Sequence, residues 1–160
     1  MINDKEDYIE KEQHKINKIL MFLVSIFIIV PTYVLLCKFK EITNLDKIIY
    51  SYTLIGALLL GYGIVIENRG LIYFVHIYLT IFQFITPFIL DSKYAAGLYL
   101  LLFVVILIFY VINNLKCVVS YAAFDNLDNK PNKVWQDLTK EGLMINGLLA
   151  LYVMRRVKWI

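Results

Sequence analysis

The stretch ILMFLVSIFIIVPTYVLLC, residues 19–37, decides the fold class because it runs for nineteen residues without a charge. About 20 residues of helix are needed to cross a hydrocarbon core of about 30 Å. A strand of a membrane barrel alternates apolar and polar residues, whereas this run is apolar on every face. Since backbone groups in lipid must be hydrogen-bonded within the protein, the stretch predicts a membrane-spanning helix.

Three further apolar runs follow, at residues 48–66, 71–90 and 95–115. Four-residue connections, Glu67–Gly70 and Asp91–Tyr94, separate the last three runs. Connections this short place consecutive helices side by side and antiparallel. The sequence therefore predicts an all-α, integral membrane four-helix bundle over residues 19–115.

The composition excludes several classes of protein. Of the 160 residues, 60% are hydrophobic and 18% are charged, against about 45–50% and 25% in soluble domains. A soluble domain of this size could not bury so much apolar surface in one core. The net charge of +3 is too small to indicate a polyanion, and no nucleic-acid partner is expected.

Two polar segments flank the predicted bundle. Residues 1–18 carry five acids and four lysines and are expected to form a solvated, helical cytoplasmic tail. Residues 116–160 are expected to be an amphipathic cytoplasmic or interfacial segment, because the apolar run Leu143–Met154 has twelve residues and is too short to span. Residues 125–160 are the candidate docking region for a cytosolic protein partner. The candidate contacts with a partner or the membrane interface are Trp135, Arg155, Arg156, Lys158 and Trp159.

The distribution of Lys and Arg predicts the orientation. With four spans, twelve basic residues lie on the side of the N-terminal tail and four lie on the other side. Basic residues near span ends favour the cytoplasm. Both termini are therefore expected in the cytoplasm, with the chain in the inner or plasma membrane of a bacterium.

The third apolar run carries a candidate polar stripe. His76, Thr80 and Gln83 are spaced at i, i+4 and i+7, which places them on one face of a helix, and Tyr73 extends this face. Polar residues within a bilayer are rare, and an ionisable one suggests a functional site. The alternative is a set of neutral hydrogen bonds between helices.

The second apolar run carries a candidate helix-packing seam at Gly56 and Gly63. Small residues at this spacing allow two helix backbones to approach closely in a membrane.

The sequence predicts no catalytic, cofactor-binding or metal site. Its two cysteines, Cys37 and Cys117, have no spacing typical of a metal site. No catalytic triad, helical His/Glu zinc motif or phosphate-binding glycine loop is found. An enzyme is therefore not expected.

The predicted function is that of a non-enzymatic membrane anchor or sensor subunit within a complex, with the lipid bilayer as its first partner. A bundle of four short-looped helices also suggests a homo-oligomer. In size and predicted topology the chain resembles the small multi-span immunity proteins that protect against pore-forming bacteriocins, and the membrane subunits of phage-defence systems. A small oligomeric pore is the first alternative and an intramembrane enzyme is the second.

Overall fold

The computed structural model describes residues 2–112 and 133–159, with side chains at residues 14, 17–108, 111 and 142–159. The described chain is all-α, as the sequence predicts, and has five helices. These are α1 (Ile2–Cys37), α2 (Asn44–Val65), α3 (Arg69–Ile89), α4 (Lys93–Ile112) and α5 (Lys133–Arg156). Helix α1 is continuous through residues 2–18, so the backbone of the predicted N-terminal tail is helical from Ile2 onward.

Three helical segments are long and apolar enough to cross a membrane: Asn17–Cys37, Asn44–Val65 and Arg69–Ile89. They correspond to the first three predicted spans, although α2 begins four residues before the predicted run. Helix α4 contributes a shorter apolar stretch, Lys93–Ile108, within the described residues. The predicted fourth span over 95–115 continues beyond the described part of the chain.

Helix α2 lies between α1 and α3 and makes its most extensive contacts with these two helices. Close approach to α1 occurs at Gly61, where an added Cβ would lie 2.9 Å from Val24 Cγ1. The core shared by the three helices consists of Leu20, Val24, Leu60, Ile64, Ile72 and Val75.

A second core cluster joins α4 and α5 to the other helices. Its centre is Tyr99 of α4, which is 1% exposed, and Val153 of α5 is fully buried in the same cluster. The cluster also includes Phe27, Ile49, Tyr50, Ala57, Phe82, Leu90, Ala95, Ala96, Leu98, Leu102, Val105, Ala150 and Val157. The end of the chain is therefore part of the folded core.

The structure packs α5 onto the bundle, whereas the sequence predicts a separate cytoplasmic or interfacial segment over residues 116–160. Helix α5 is 24 residues long and packs against both α3 and α4. Its last turn lies beside the C-terminal end of α3, since Arg156 donates hydrogen bonds to the carbonyls of Pro87 and Phe88. This is the end of the bundle opposite to residues 2–18. Burial of one apolar face against two helices requires fewer apolar residues than a lipid span. The twelve-residue run Leu143–Met154 is therefore long enough to pack α5 on α3 and α4.

Helices α2 and α5 end in the same way, each followed by a residue with a positive φ, Glu67 and Lys158. After α2, the N–H groups of Glu67 and Asn68 donate to the carbonyls of Ile64 and Gly63, with Glu67 at a φ of 53°. This is the Schellman pattern, in which the left-handed residue is usually glycine. Asn68 then begins α3 by accepting the Leu71 N–H at 2.9 Å. The connection is thereby fixed at both of its ends.

Candidate functional site

The predicted polar stripe lies along one side of α3, with different burial at different positions. Tyr73, His76 and Thr80 are half-buried, and Gln83 is buried with 8% of its surface exposed. The Thr80 hydroxyl donates to the His76 carbonyl at 2.7 Å, which is a bond within the same helix. Thr80 therefore satisfies its hydroxyl locally, and the buried amide of Gln83 is the polar group of the stripe that reaches the protein interior.

The four stripe residues share one side of α3 with Pro87. At 100° per residue, all four stripe residues lie within about 40° of Pro87 around the helix axis. Pro87 and Phe88 are the α3 residues that accept hydrogen bonds from Arg156 of α5. Tyr152 of α5 also packs on Phe88, with ring centroids 5.7 Å apart.

Three buried side-chain polar atoms have no hydrogen-bond partner among the described residues. They are Gln83 Nε2 on α3, Tyr99 Oη on α4 and Asn146 Oδ1 on α5. Buried polar groups without partners are uncommon in folded proteins, and each costs about 1–3 kcal/mol. They lie on three helices, α3, α4 and α5, each of which contacts the other two.

At the end of the bundle next to Cys37, one buried carboxylate links the beginnings of two helices. Asp46 is 0% exposed and forms a capping box with Thr43, accepting the Thr43 N–H at 2.9 Å. The Ser92 hydroxyl donates to the other carboxylate oxygen of Asp46 and accepts the Ala95 N–H at 3.0 Å. Helix beginnings carry partial positive charge, so Asp46 compensates α2 and α4 together.

A second polar contact at the same end joins the 38–43 loop to α4. Glu41 accepts hydrogen bonds from Lys38 Nζ at 2.8 Å and from the Tyr94 hydroxyl at 2.7 Å. The bond from Lys38, followed by the bond from Tyr94, lowers the pKa of the Glu41 carboxyl below its ordinary value. The hydrogen bond to Glu41 in turn raises the pKa of Lys38. Both groups therefore remain charged over a wider pH range.

The C-terminal candidates gather at this end as well. Arg155, Arg156, Lys158 and Trp159 are exposed, and the Arg156 guanidinium lies 3.2 Å from the Pro87 carbonyl oxygen. Carbonyls in the last turn of a helix have no partner within it, so Arg156 acts as an external cap of α3. The side chain of Trp135 lies outside the described residues.

The predicted seam residues lie where α2 meets α3. A Cβ added at Gly56 would be 2.9 Å from both Leu79 Cδ2 and Tyr78 Cε1, and one at Gly63 would be 3.2 Å from Ile72 Cγ1. Next to Gly56, the rings of Tyr52 and Tyr78 stack with centroids 3.9 Å apart. Each hydroxyl donates to the backbone carbonyl of the other tyrosine, at 3.2 and 3.0 Å.

Among the described residues, no group of three or more His, Cys, Asp or Glu side chains could hold a metal ion. Cys37 is an exposed free thiol, and Cys117 falls outside the described range. Comparison with protein families, curated proteins and solved structures finds no match to this chain.

Sequence reasoning missed the Asp46–Ser92 link, the role of Arg156 and the tyrosine pair. A partial signal existed for the first, because Thr43 and Asp46 have the i, i+3 spacing of a capping box. No local signal exists for Arg156 or the tyrosine pair, since each joins residues at least 26 positions apart.

Proposed function

We propose that the chain is a multi-pass membrane protein in which α1–α4 cross the bilayer and α5 crosses back against α3 and α4. The observation that carries this proposal is the outer surface of the bundle. Large apolar side chains are exposed on every helix, including Phe22, Ile55, Phe74, Val104 and Leu148. A soluble monomer rarely exposes apolar patches beyond a few hundred Å², whereas lipid tails are a favourable environment for such a surface.

The burial of α1 supports the same conclusion. Of the apolar window of the Asn17–Cys37 segment, 22% is buried inside the structure, against 50% for α2. The remaining surface of α1 is nearly as apolar as its buried face. This uniformity is typical of a helix between protein and lipid.

We also propose that the two ends of the chain lie on opposite sides of the membrane. Residues 2–18 extend from one end of the bundle, and Arg156 lies at the other, beside Phe88. With four spans, four of the sixteen basic residues lie at the end of the bundle opposite to residues 2–18. The position of α5 adds Arg155, Arg156 and Lys158, so seven of the sixteen lie at that end. The charge distribution therefore favours neither orientation clearly, which leaves the choice to a labelling experiment.

The experiment uses the full-length protein in native membranes. Resistance to alkaline extraction is expected, and release into the soluble fraction would refute the membrane proposal. For topology, single-cysteine variants would be labelled with an impermeant thiol reagent, using Cys37 in a Cys117→Ser background and a cysteine added after Ile160. Opposite termini predict that these two thiols react from the same side, while a cysteine before Ile2 does not. Labelling of both terminal cysteines from one side would refute this topology.

Within the membrane we propose a non-enzymatic role, as an anchor or sensor subunit of a larger assembly. The polar contacts of the described residues support this role because they join helix ends: Asp46 links α2 to α4, and Arg156 links α5 to α3. Immunity and phage-defence systems are the settings that the size and topology suggest. Copurification from the native host, with identification of the bound proteins, tests this role; a chain recovered alone would contradict it.

A second candidate function, a small oligomeric pore, rests on the unpaired polar atoms of Gln83, Tyr99 and Asn146. Flux of cations through reconstituted liposomes distinguishes the two functions. A pore predicts flux that changes in His76→Ala and is unaffected in Ser25→Ala, because Ser25 is exposed on α1 and bonds to the Met21 carbonyl of its own helix. The subunit proposal predicts no flux from any of the three proteins.

A further inference from the structure

Seven basic residues from three separate parts of the chain meet at one end of the bundle. They come from the 38–47 region, from the beginning of α4 and from the end of α5. This surface, called the basic end, consists of Lys38, Lys40, Lys47, Lys93, Arg155, Arg156 and Lys158.

Contacts between the three segments establish that they share one end. Tyr94, next to Lys93, donates to Glu41 in the first loop at 2.7 Å. The ring of Trp159 lies 3.9 Å from the position of a Cβ at Gly97, one turn into α4. The basic residues therefore belong to the ends of four helices, α1, α2, α4 and α5, that lie at the same end of the bundle.

The net charge differs between the two ends. The basic end carries three acids, Glu41, Asp46 and Asp91, and so has a net charge of +4. Asp46 is fully buried and accepts hydrogen bonds at both of its oxygens, which removes it from the surface. Residues 1–18, at the opposite end, have four lysines against five acids, and Glu67 balances Arg69 there.

Aromatic side chains accompany the basic residues at the same level. Phe39, Tyr33 and Trp159 are 53%, 58% and 43% exposed, and Lys47 Nζ lies 4.0 Å from the centre of the Phe39 ring. Aromatic rings and Lys or Arg side chains are the residues that anchor spans at the membrane–water interface. The basic end therefore has the composition of an interfacial belt with a strong excess of positive charge.

We propose that the basic end binds the headgroups of anionic phospholipids in the leaflet that it faces. This inference rests on the proposed membrane location and adds the class of lipid. A leaflet fits better than an acidic protein because the charges come from the ends of four helices, at the level where the apolar helices end, beside exposed apolar side chains. Each Lys or Arg near an anionic surface contributes attraction that falls off within about 10 Å.

The test uses Trp159 as a reporter of the lipids around it. The Trp135→Phe variant of the full-length chain, with Trp159 as its sole tryptophan, is reconstituted into vesicles in which either phosphatidylglycerol or phosphatidylcholine carries brominated acyl chains. Bromine quenches tryptophan fluorescence at contact range, so the two quenching curves give the relative affinity for the anionic lipid. We expect a preference of about three- to tenfold for phosphatidylglycerol, from the attraction per basic residue.

A matched pair of variants locates the effect. Lys40→Gln, Lys93→Gln, Arg155→Gln and Lys158→Gln together should bring the preference close to one, and Arg156 is left intact because it holds α3. Replacement of the four lysines of residues 1–18 by glutamine should leave the preference unchanged.

Three results would overturn the inference. The first is equal quenching by the two lipids in the parent protein. The second is an unchanged lipid preference in the variant with four glutamines at the basic end. The third is an equal loss of preference in the variant without the four lysines of residues 1–18. Quenching by neither lipid would place Trp159 away from the bilayer and would also overturn the inference, whereas alkaline extraction tests the membrane location by itself. Efficient quenching by phosphatidylcholine without a preference would instead preserve the membrane location and reject anionic-lipid binding.

Discussion

Replacing Gly56 by alanine tests the packing of α2 against α3 most directly. The new Cβ would lie 2.9 Å from Tyr78 Cε1 and Leu79 Cδ2, closer than carbon atoms normally approach. The end of Leu79 can move, but the Tyr78 ring cannot do so freely. It is stacked on Tyr52 and its hydroxyl donates to the Tyr52 carbonyl at 3.0 Å. The α2 and α3 backbones must therefore separate, or the tyrosine pair must break.

The expected change in the free energy of unfolding follows from comparison with a matched control variant. Beyond its adjacent residues and its own helix backbone, Gly147 of α5 has no atom within 4 Å of its added Cβ, so Gly147→Ala reports the gain in helix propensity, about 0.8–1 kcal/mol. Gly56→Ala has the same gain and an overpacking cost of about 1–3 kcal/mol. The difference between the two variants in the free energy of unfolding is therefore about 1–3 kcal/mol, with Gly147→Ala the more stable.

The assay is reversible unfolding in mild detergent by increasing the fraction of a denaturing detergent, followed by circular dichroism. A difference between the two alanine variants of less than about 0.5 kcal/mol would refute the packing argument. A Tyr78→Leu background adds a second check, because it removes the rigid ring. There the cost of Gly56→Ala should fall, and an undiminished cost would show that the clash with Tyr78 is not its cause.

Three further predictions concern the basic end. Asp46→Asn should lower the free energy of unfolding by about 1–3 kcal/mol in the same assay, since it weakens charge-assisted bonds to two helix beginnings. A Ser92→Ala variant should show part of this loss. No loss in either variant would contradict the link that Asp46 makes between α2 and α4. Arg156→Gln should increase proteolytic cleavage near α5 by loosening its last turn from α3, whereas Arg155→Gln should not; equal cleavage would contradict the capping role. The Glu41 carboxyl should titrate below its ordinary value of 4.5, by carbon-13 NMR. The ion pair of Lys38 with Glu41 should thus stabilise the loop at pH values above the ordinary pKa of the carboxyl, and this stabilisation should be lost as the pH falls through the lowered pKa. In Lys38→Gln, the titration midpoint of Glu41 should return toward 4.5.

Much of the architecture could be predicted from local sequence. The runs at 19–37, 48–66 and 71–90 each satisfy the length and apolarity of a span by themselves, and no contact with another helix is needed to infer a helix there. The spacing of His76, Thr80 and Gln83 likewise predicts a shared side of α3, because helical periodicity depends only on the backbone.

The role of each residue in that stripe could not be predicted, because it depends on neighbouring helices. Thr80 and Gln83 look equivalent in the sequence, yet Thr80 bonds to the carbonyl of His76 while the Gln83 amide is buried without a described partner. A short hydroxyl side chain can reach its own backbone, whereas a longer amide extends toward whatever packs on the helix.

The sequence by itself determined that the chain is helical and that three of its helices can cross a membrane, since these properties follow from the apolarity and length of each run. Only the tertiary structure decided where α5 lies. As a lipid span, the run Leu143–Met154 is too short, and the charge count places Arg155 and Arg156 on the side of the N-terminal tail. The packing of α5 on α3 and α4 changes both conclusions. This packing requires only one apolar face of α5, which Ala150, Val153 and Val157 provide. The carbonyls of Pro87 and Phe88 accept hydrogen bonds from Arg156 at the end of the bundle opposite to the N-terminal tail.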